Sequence, residues 1–492
     1  MLTASNLVYD VADRTRAVAA GGIGAMVLLA RHVGLADAID RNIHVLRRHL
    51  PYHESDHVLN IAFNVLAGGT CIEDLELRRT NEAYLDALGA SRIPDPTTAG
   101  DFCRRFENEA QILQFMETIN QVRVKVWQAR AEHDPGFFDR AILDGDGTIA
   151  PTWGECKQGM NISYDGQWGY HPLLISLANT KEPLYLVNRS GNRPSHERAD
   201  EYFDHAIGLC REAGFKSILL RGDTDFTQTW KLDGWDDAGD IRVVLGTDAA
   251  RGMIARAQSL DTAEWKRLER PPRYEVKTQT RARPQNVKEQ VVASRGYKNF
   301  VLQWEDIAEF EHRPGKCDRA YRLIALRKKI NVMEGEVKLF DEYRYFFYIT
   351  NDRLSTPQQI VFTANDRCDQ ENLIEQMKNG VRALRNPLDN LYSNWAYMVM
   401  ASLAWTLKAW AGLLLPAKPG RWRQRHEREK ERLGKMEFKS FRNALIELPC
   451  QIVRTGRRIV YRLLAWNPWA AALLRLADAM RKPMRSAVPM RC

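Results

Sequence analysis

Apolar positions along this chain change period twice, and the changes divide it. In "HVLNIAFNVLAGG" (57–69) and "AQILQFMETINQVRVKVWQA" (110–129) they recur every three or four residues with few breakers, the repeat of a helix with one buried face. Between them, "NEAYLDALGASRIPDPTTAGDFCRRF" (81–106) predicts a short helix ending at Gly89, a proline-bearing turn and a second helix carrying Arg104 and Arg105. Thr97 or Thr98 is the expected cap of that second helix. This is the layout of a helix-turn-helix, although such pairs also arise by chance.

From about residue 136 the texture becomes that of strands. "RAILDGDGTIA" (140–150), "YHPLLISLAN" (170–179), "PLYLVNRSG" (183–191), "KSILLRGDTDF" (216–226) and "IRVVLGTD" (241–248) are short apolar runs bounded by turn residues. An amphipathic helix, "SHERADEYFDHAIGLCREAG" (195–214), separates the third from the fourth, with Ser195 as expected cap and Gly214 as stop. Hairpin-like strands, a helix and further strands predict an α/β layer on a mixed sheet. From 262 to about 345, "RYEVKTQT", "NFVLQWEDIAEF", "AYRLIALRKKI" and "VKLFDEYRYFFYIT" read as an inserted, mostly β domain.

Beyond the insertion, "RCDQENLIEQMK" (367–378) brings Arg367, Glu371 and Lys378 into a narrow arc of one helix at about 100° per residue. Leu373, Met377 and Val381 form a separate apolar stripe. A solvated amphipathic helix has the same pattern. "WAYMVMASLAWTLKAWAGLLL" (395–415) is long enough to span a bilayer, but Lys408 lies well inside it and Ser402 and Thr406 interrupt it. A helix buried in a large core, with no membrane partner, is expected there. "RWRQRHEREKERLGK" (421–435) and a hairpin candidate, "QIVRTGRRIVYRL", turning at Thr455-Gly456, follow. The expected regions are a helical domain at 1–135, an α/β core in two parts at 136–261 and 346–415, a β-rich insertion at 262–345, and a basic region at 416–492.

With 45% hydrophobic and 27% charged residues, the 492-residue chain has an ordinary globular balance and length for several domains. Charge changes the picture more. Residues 416–492 hold 19 Lys/Arg against 6 Asp/Glu, a net +13 that leaves −4 for the first 415. A basic segment on a mildly acidic body favours a polyanionic partner, nucleic acid ahead of anionic membrane; read as DNA-binding, the helix-turn-helix layout makes Arg104 and Arg105 candidate DNA contacts. Eight scattered cysteines without a C-x-x-C pair argue against a zinc site or disulfide framework and fit a reducing cytoplasm. "MLTASNLVYDVADRTR" has no basic segment followed by an apolar core, so no secretory signal is expected.

Two predicted strands end in paired carboxylates, Asp144 with Asp146 and Asp223 with Asp225. Strand ends are where side chains leave the core yet stand on a rigid base. Acidic pairs also cap turns, but two pairs and a helix carrying Glu371 beside Arg367 and Lys378 suggest a site. Oxygen ligands without His or Cys suit Mg²⁺ or Mn²⁺ rather than zinc. Two such ions about 4 Å apart would clamp a phosphodiester, with Arg367 and Lys378 holding DNA phosphates. Asp144, Asp225 and Glu375 remain alternative ligands.

"LDGDGT", "LLRGDTDF" and R-x(3)-E-x(6)-K resemble the motifs of DDE transposases of bacterial insertion sequences, in particular the insertion-sequence-1380 group of the insertion-sequence-4-like superfamily. "GMNISYDGQWGYHPL" (159–173) is similar to that group's segment after the first Asp, and the resemblance covers most of the chain. It implies a ribonuclease H-like fold interrupted by a β-rich domain before the Glu, and by motif position the triad Asp146, Asp223 and Glu371 with two Mg²⁺ or Mn²⁺ ions. It further implies cut-and-paste cleavage at element ends and strand transfer, by a homodimer on terminal inverted repeats and target DNA. In relatives that cut through a DNA hairpin, an aromatic residue of the insertion stacks on an extruded base; Trp304 is the candidate here, the alternative being the insertion's own core. The pattern departs at one point: the usual Tyr three residues before the Arg is Ala364, which lacks the aromatic face and phenolic donor. A catalytically impaired DNA-binding descendant and a metal-dependent nuclease without strand transfer are the alternatives.

Overall fold

The structure is a computed structural model that describes residues 15–49, 51–154, 156–270, 298–334, 337–456, 458–464 and 467–484. A short strand β1 (Ala17–Val18) precedes helices α1 (Ile23–His32), α2 (Leu35–Asn42), α3 (Glu54–Leu66), α4 (Leu75–Arg79), α5 (Glu82–Leu88), α6 (Pro96–Arg104) and α7 (Glu109–Ala131). Strands β2 (Ala141–Gly147), β3 (Ala150–Pro151), β4 (Asn161–Ile162), β5 (Trp168–Tyr170), β6 (Leu173–Leu177) and β7 (Glu182–Val187) follow. Then come α8 (Ala199–Ala213), β8 (Ile218–Gly222), α9 (Leu232–Asp237), β9 (Ile241–Thr247), α10 (Arg251–Gln258) and β10 (Lys266–Arg267). After three long strands, β11 (Lys298–His312), β12 (Tyr321–Glu334) and β13 (Val337–Thr350), the chain returns to helix in α11 (Pro357–Asn365), α12 (Cys368–Glu375), α13 (Leu391–Leu414), α14 (Arg423–Lys435) and α15 (Phe438–Phe441). β14 (Cys450–Thr455), β15 (Arg458–Leu463) and α16 (Ala470–Ala479) complete the described elements.

One mixed sheet runs in the order β10-β11-β12-β13-β9-β8-β2-β6-β7. β2 lies parallel to β8 and antiparallel to β6, and β8 lies parallel to β9. β6 and β7 are buried at every position, which is why their apolar residues run together rather than alternating, with Ser176 and Glu182 as polar exceptions. The insertion is continuous with this sheet: β13 pairs antiparallel with β9, from Phe347 opposite Thr247 to Thr350 opposite Val244. Its three long strands therefore extend the α/β layer as a ribbon instead of closing a sheet of their own. The strand expected at "RYEVKTQT" lies outside the described residues.

Local start signals were displaced in two helices. Asp95, not Thr97 or Thr98, caps α6, accepting a hydrogen bond from the Thr98 amide at 2.9 Å with Pro96 at the first helical position. α8 begins after Arg198, held at φ 59°, so Ser195 lies outside it; Gly214 ends it at φ 109° as expected. α5 packs on β1, β14 and β15, whereas α6 packs on α13 and α3. Because they lean on different partners, the two do not make the compact pair expected of a helix-turn-helix.

The apolar segment at 395–415 becomes α13, a central helix flanked by α3, α6, α7, α14 and β7. Among the described residues no helix is long and apolar enough to cross a membrane. Lys408 is buried, donating to the Gly434 carbonyl at 3.1 Å and resting 3.9 Å from the centre of the Trp405 ring. Burial lowers its pKa to about 7. The helix is fastened to the sheet edge at Glu182, which is fully buried. That carboxylate accepts from Arg123 Nε at 2.9 Å, Trp127 Nε1 at 2.9 Å and Trp410 Nε1 at 2.8 Å. One charge thus joins α7, β7 and α13.

The basic C-terminal region is a packed part of the helical body. β14 pairs with β1, Ala17 opposite Gln451 and Val18 opposite Cys450, and with β15 in the expected hairpin. α16 lies on α1, and Leu433, Phe441 and Leu476 are fully buried. Among the described residues, much of this basic charge is therefore carried on elements that the core requires, since their apolar side chains are buried in it.

Removing one partner of a buried, hydrogen-bonded ion pair leaves the other charge stranded. Glu182→Ala is expected to destabilise the protein by about 3–5 kcal/mol, read as a lowered urea midpoint.

Candidate active site

Residues two apart on a strand share a face, so Asp144 and Asp146 project from the same side of β2. The parallel register sets Asp144 beside Arg221, and one pleat further on the two chains reach Asp146 and Asp223. Asp144 is 1% exposed. Both its oxygens are taken by Arg221, Nε at 2.7 Å and Nη2 at 2.8 Å, while Arg221 Nη1 donates to the Thr363 carbonyl at 3.2 Å. This bidentate pair commits Asp144 to structure. Gly145, between the two acids, gives α8 room on the opposite face: a Cβ there would sit 2.6 Å from the Phe203 ring.

Asp223 leaves β8 as the cap of a single tight turn at 224–226, its Oδ1 accepting from the Asp225 amide at 3.0 Å. β9 passes close behind it, where a Cβ on Gly246 would lie 2.9 Å from the Thr224 amide nitrogen. Asp225 itself is exposed.

α12 is docked by its buried polar residue. Ser176 Oγ donates to Gln370 Oε1, and Gln370 Nε2 donates to the Leu174 carbonyl at 3.1 Å. Ser176 lies opposite Asp144, and Leu174 opposite Asp146, in the antiparallel β2–β6 pair. Lys181 adds an ion pair to Asp369 at 2.8 Å. The helix is shorter than the spacing predicted. Arg367 stands just before its first residue, and 376–380 form a wider π-type turn that carries Lys378. Leu373, Met377 and Val381 are buried as expected.

Arg367 reaches from this corner into the acids, with Nη2 3.7 Å from Asp146 Oδ2 and 3.4 Å from the Gly145 carbonyl. Its Nε is buried without a hydrogen-bond partner. Asp146 is the electrostatic centre. Burial raises its pKa to about 7; Arg367 pulls it down, and the charges of Asp223 and Glu371 push it up. Burial likewise raises Asp223, opposed by Arg367 and reinforced by Asp225. Lys378 is lowered by burial while Glu375 and Asp146 favour its charge. Asp146, Asp223, Glu371, Arg367 and Lys378 are thus electrically coupled through Asp146.

Glu371 is exposed and makes no hydrogen bond or ion pair among the described residues, whereas Glu375 accepts from Asn379 at 2.7 Å. No group of three or more His, Cys, Asp or Glu among the described residues is close enough to enclose an ion. The donors are nonetheless all carboxylate oxygens, suited to a hard divalent cation. Arg367 supplies positive charge beside Asp146.

Trp304, Arg104 and Arg105 lie apart from this constellation. Trp304, half-buried on β11, has Arg267 4.4 Å and Arg327 5.6 Å from its ring centre and an edge contact to Tyr343 at 6.0 Å. It is a cation-flanked ring on the ribbon, not a fully buried one. Arg104 is paired with Asp389 and Asp101, each at 3.0 Å, and Arg105 is exposed. Sequence reasoning missed Arg221, Ser176 and Gln370. The first two carried a signal, being lone polar residues inside the apolar strands "ILLRG" and "LLISL".

The sequence matches the family model described as transposase DDE domain group 1 over residues 10–484. No curated protein matches the chain. Among solved structures, the piggyBac transposase synaptic complex with hairpin DNA aligns over 96% of this chain and 87% of that one at 9% identity. Its TM-score of 0.36 is too low to carry an argument about fold or chemistry.

An acid whose folded pKa is raised destabilises the fold once it ionises. For Asp146 that penalty is absent below the ordinary value of 3.8 and grows as pH rises to about 7. Asp146→Asn, in metal-free buffer, is expected to be as stable as the parent near the low end and more stable above pH 7. Burial raises Asp144 as well, against the pull of Arg221, but Asp144→Asn removes the partner of a buried guanidinium and is expected to cost about 3–5 kcal/mol by stranding Arg221. Urea titrations across pH separate the two.

Proposed function

Because the chain belongs to transposase DDE domain group 1, we propose that it cuts DNA at the ends of a mobile element and joins the freed strand to target DNA, with Asp146, Asp223 and Glu371 as the acidic triad. The approach of Arg367 to partly buried Asp146 at 3.7 Å, with Asp223 and Glu371 close enough to influence the same acid, carries this reading. The strand arrangement supports a ribonuclease H-like core, since the antiparallel β7-β6-β2 run continues into parallel β8 and β9. The motifs support placement in the insertion-sequence-1380 group, acting as a synaptic homodimer on terminal inverted repeats.

Asp146, Asp223 and Glu371 would hold Mg²⁺ or Mn²⁺. Bound there, two ions would act as Lewis acids on the attacking and leaving oxygens. Arg367 and Lys378 hold the phosphate of the element end against this acidic corner, and the rigid β2–β8 pair fixes its position. In the first step water attacks phosphorus, the bond to the 3′ oxygen breaks, and that oxygen takes up a proton. The flanking strand keeps a 5′-phosphate. In the second step the freed 3′-OH loses its proton and attacks a target phosphorus, forming a new P–O bond as the target's 3′ oxygen leaves. A second reading, a DNA-binding descendant with impaired chemistry, rests on Ala364, which packs on a small apolar cluster of the sheet and offers no donor.

Incubating the protein with DNA flanking its own gene and Mg²⁺ tests the proposal. Asp146→Asn, Asp223→Asn and Glu371→Gln should each lower cleavage and joining by several orders of magnitude while the DNA ends remain bound. Lys378→Ala and Arg367→Ala should weaken end binding more than chemistry. Glu375→Gln should stay active; an inactive Glu375→Gln beside an active Glu371→Gln would place the third ligand one turn later. Trp304→Ala should impair strand processing with stability unchanged, and a loss of stability would assign the ring to the ribbon's packing instead.

A further inference from the structure

Three large rings close in sequence to Asp146 face solvent on and beside one small sheet. β3, β5 and β4 form that sheet, in the order β3-β5-β4, within the excursion between β2 and β6. Trp153 is 95% exposed, Tyr164 at the hairpin tip 87% and Trp168 54%. Scattered exposed apolar residues are ordinary, but a cluster of aromatic faces marks an interaction surface. Between the Pro151–Gly154 loop and Met160, Gln167 and Trp168 lies a cavity of about 550 Å³, with no ionisable side chain lining it among the described residues.

The platform is fixed in place. Thr152 N donates to the Trp168 carbonyl at 3.0 Å, Ser163 N to the Gln167 carbonyl at 2.8 Å, and the Tyr170 hydroxyl to the Gln158 carbonyl at 2.8 Å. Gln158 N donates to the Asp389 carbonyl at 2.8 Å and Asn386 Nδ2 to the Ala150 carbonyl at 3.1 Å, tying it to the segment between α12 and α13. A Cβ on Gly169 would meet the Ala150 carbonyl oxygen at 2.3 Å, so β3 and β5 approach as closely as only glycine allows. Both chain entries leave from the strand pair bearing Asp146, where Gly147 lies opposite Leu173 and Thr148 N donates to the Pro172 carbonyl at 2.9 Å.

We propose that this sheet is a stacking platform for an unpaired nucleotide of the DNA substrate, beside the phosphate at the triad; it rests on the reading of this chain as a DNA-cutting enzyme. Rigid, uncharged aromatic faces bind a base without repelling its phosphate, and only a base outside the duplex stack offers its face. The platform is built from the chain that leaves β2 after Gly147 and rejoins the large sheet at Leu173, which ties such a base to the strand that carries Asp146.

The test uses the full chain with Asp146→Asn as background, so that binding is read without cleavage. The probes are a fluorescein-labelled oligothymidylate and a blunt duplex, followed by anisotropy. Trp153→Ala and Trp168→Ala should each weaken oligothymidylate binding about tenfold, leave the blunt duplex and the urea midpoint unchanged, and be rescued by Trp168→Phe at its position. Unchanged oligothymidylate affinity in both variants overturns the proposal, as does an equal loss on the blunt duplex. Loss of self-association in sedimentation with unchanged affinity also overturns it, making the sheet a contact between copies. Should Asp146→Asn still cleave, the catalytic assignment fails, while the difference between the two probes still decides the platform.

Discussion

The geometry of the acidic corner depends on one buried ion pair, Asp144 with Arg221. Parallel apolar strands such as β2 and β8 pair almost equally well when slipped by two residues, because the same face stays buried. Only one register lets a buried carboxylate meet a buried guanidinium, and every other strands two charges away from water at a cost of several kcal/mol. That register is the one that brings both strand ends to an aspartate. The pair also reaches α11 through the Thr363 carbonyl, so sheet, register and the approach to Arg367 are fixed together. A charge pair of little net worth to stability can in this way decide where the chemistry sits.

Much of this arrangement was legible in the residues. The five apolar runs from 140 to 248 became strands, since short β-rich runs between turn residues leave the backbone few alternatives. α13 was recognisable as buried because Lys408, Ser402 and Thr406 made a lipid environment costly. What was not legible depended on long-range partners. The insertion looked separate because nothing local announces that β13 will pair with β9, over a hundred residues away in sequence by the ladder Thr350–Val244. Helix starts were misplaced where competing caps stood side by side: Asp95 outcompeted Thr97 and Thr98, being the residue just before Pro96. The triad helix was drawn too long because periodicity cannot register a π-type turn at 376–380. Gln370 carried no signal at all, since an amide on a helix gains meaning only when Ser176 is known to face it.

The polar contacts of the corner are divided by exposure. Asp144, Arg221, Gln370 and Ser176 are buried and fully engaged, whereas Glu371 is exposed and unengaged. Scaffold groups are thereby held still, while the acid proposed to meet incoming substrate keeps its rotamer freedom. Arg367, with one buried nitrogen unsatisfied, stands between these classes, a donor already desolvated and aimed at the place where phosphate charge would arrive.

The pairing of β1 with β14 has a consequence for how the chain is made. The helical body at the front is closed by a strand near residue 451 and covered by α16. Emerging from the ribosome, the front helices would meet this partner only after residues beyond 450 had been synthesised. Contacts of such sequence separation form slowly, since loop closure must precede any gain. Meanwhile the apolar faces of α1 and α5 stay uncovered on the nascent chain, open to chaperones and to premature association. A chain cut short by an early stop or by a nick in its gene would leave those faces bare for good. Translation past β14 and α16 is thus a built-in checkpoint on the supply of folded protein.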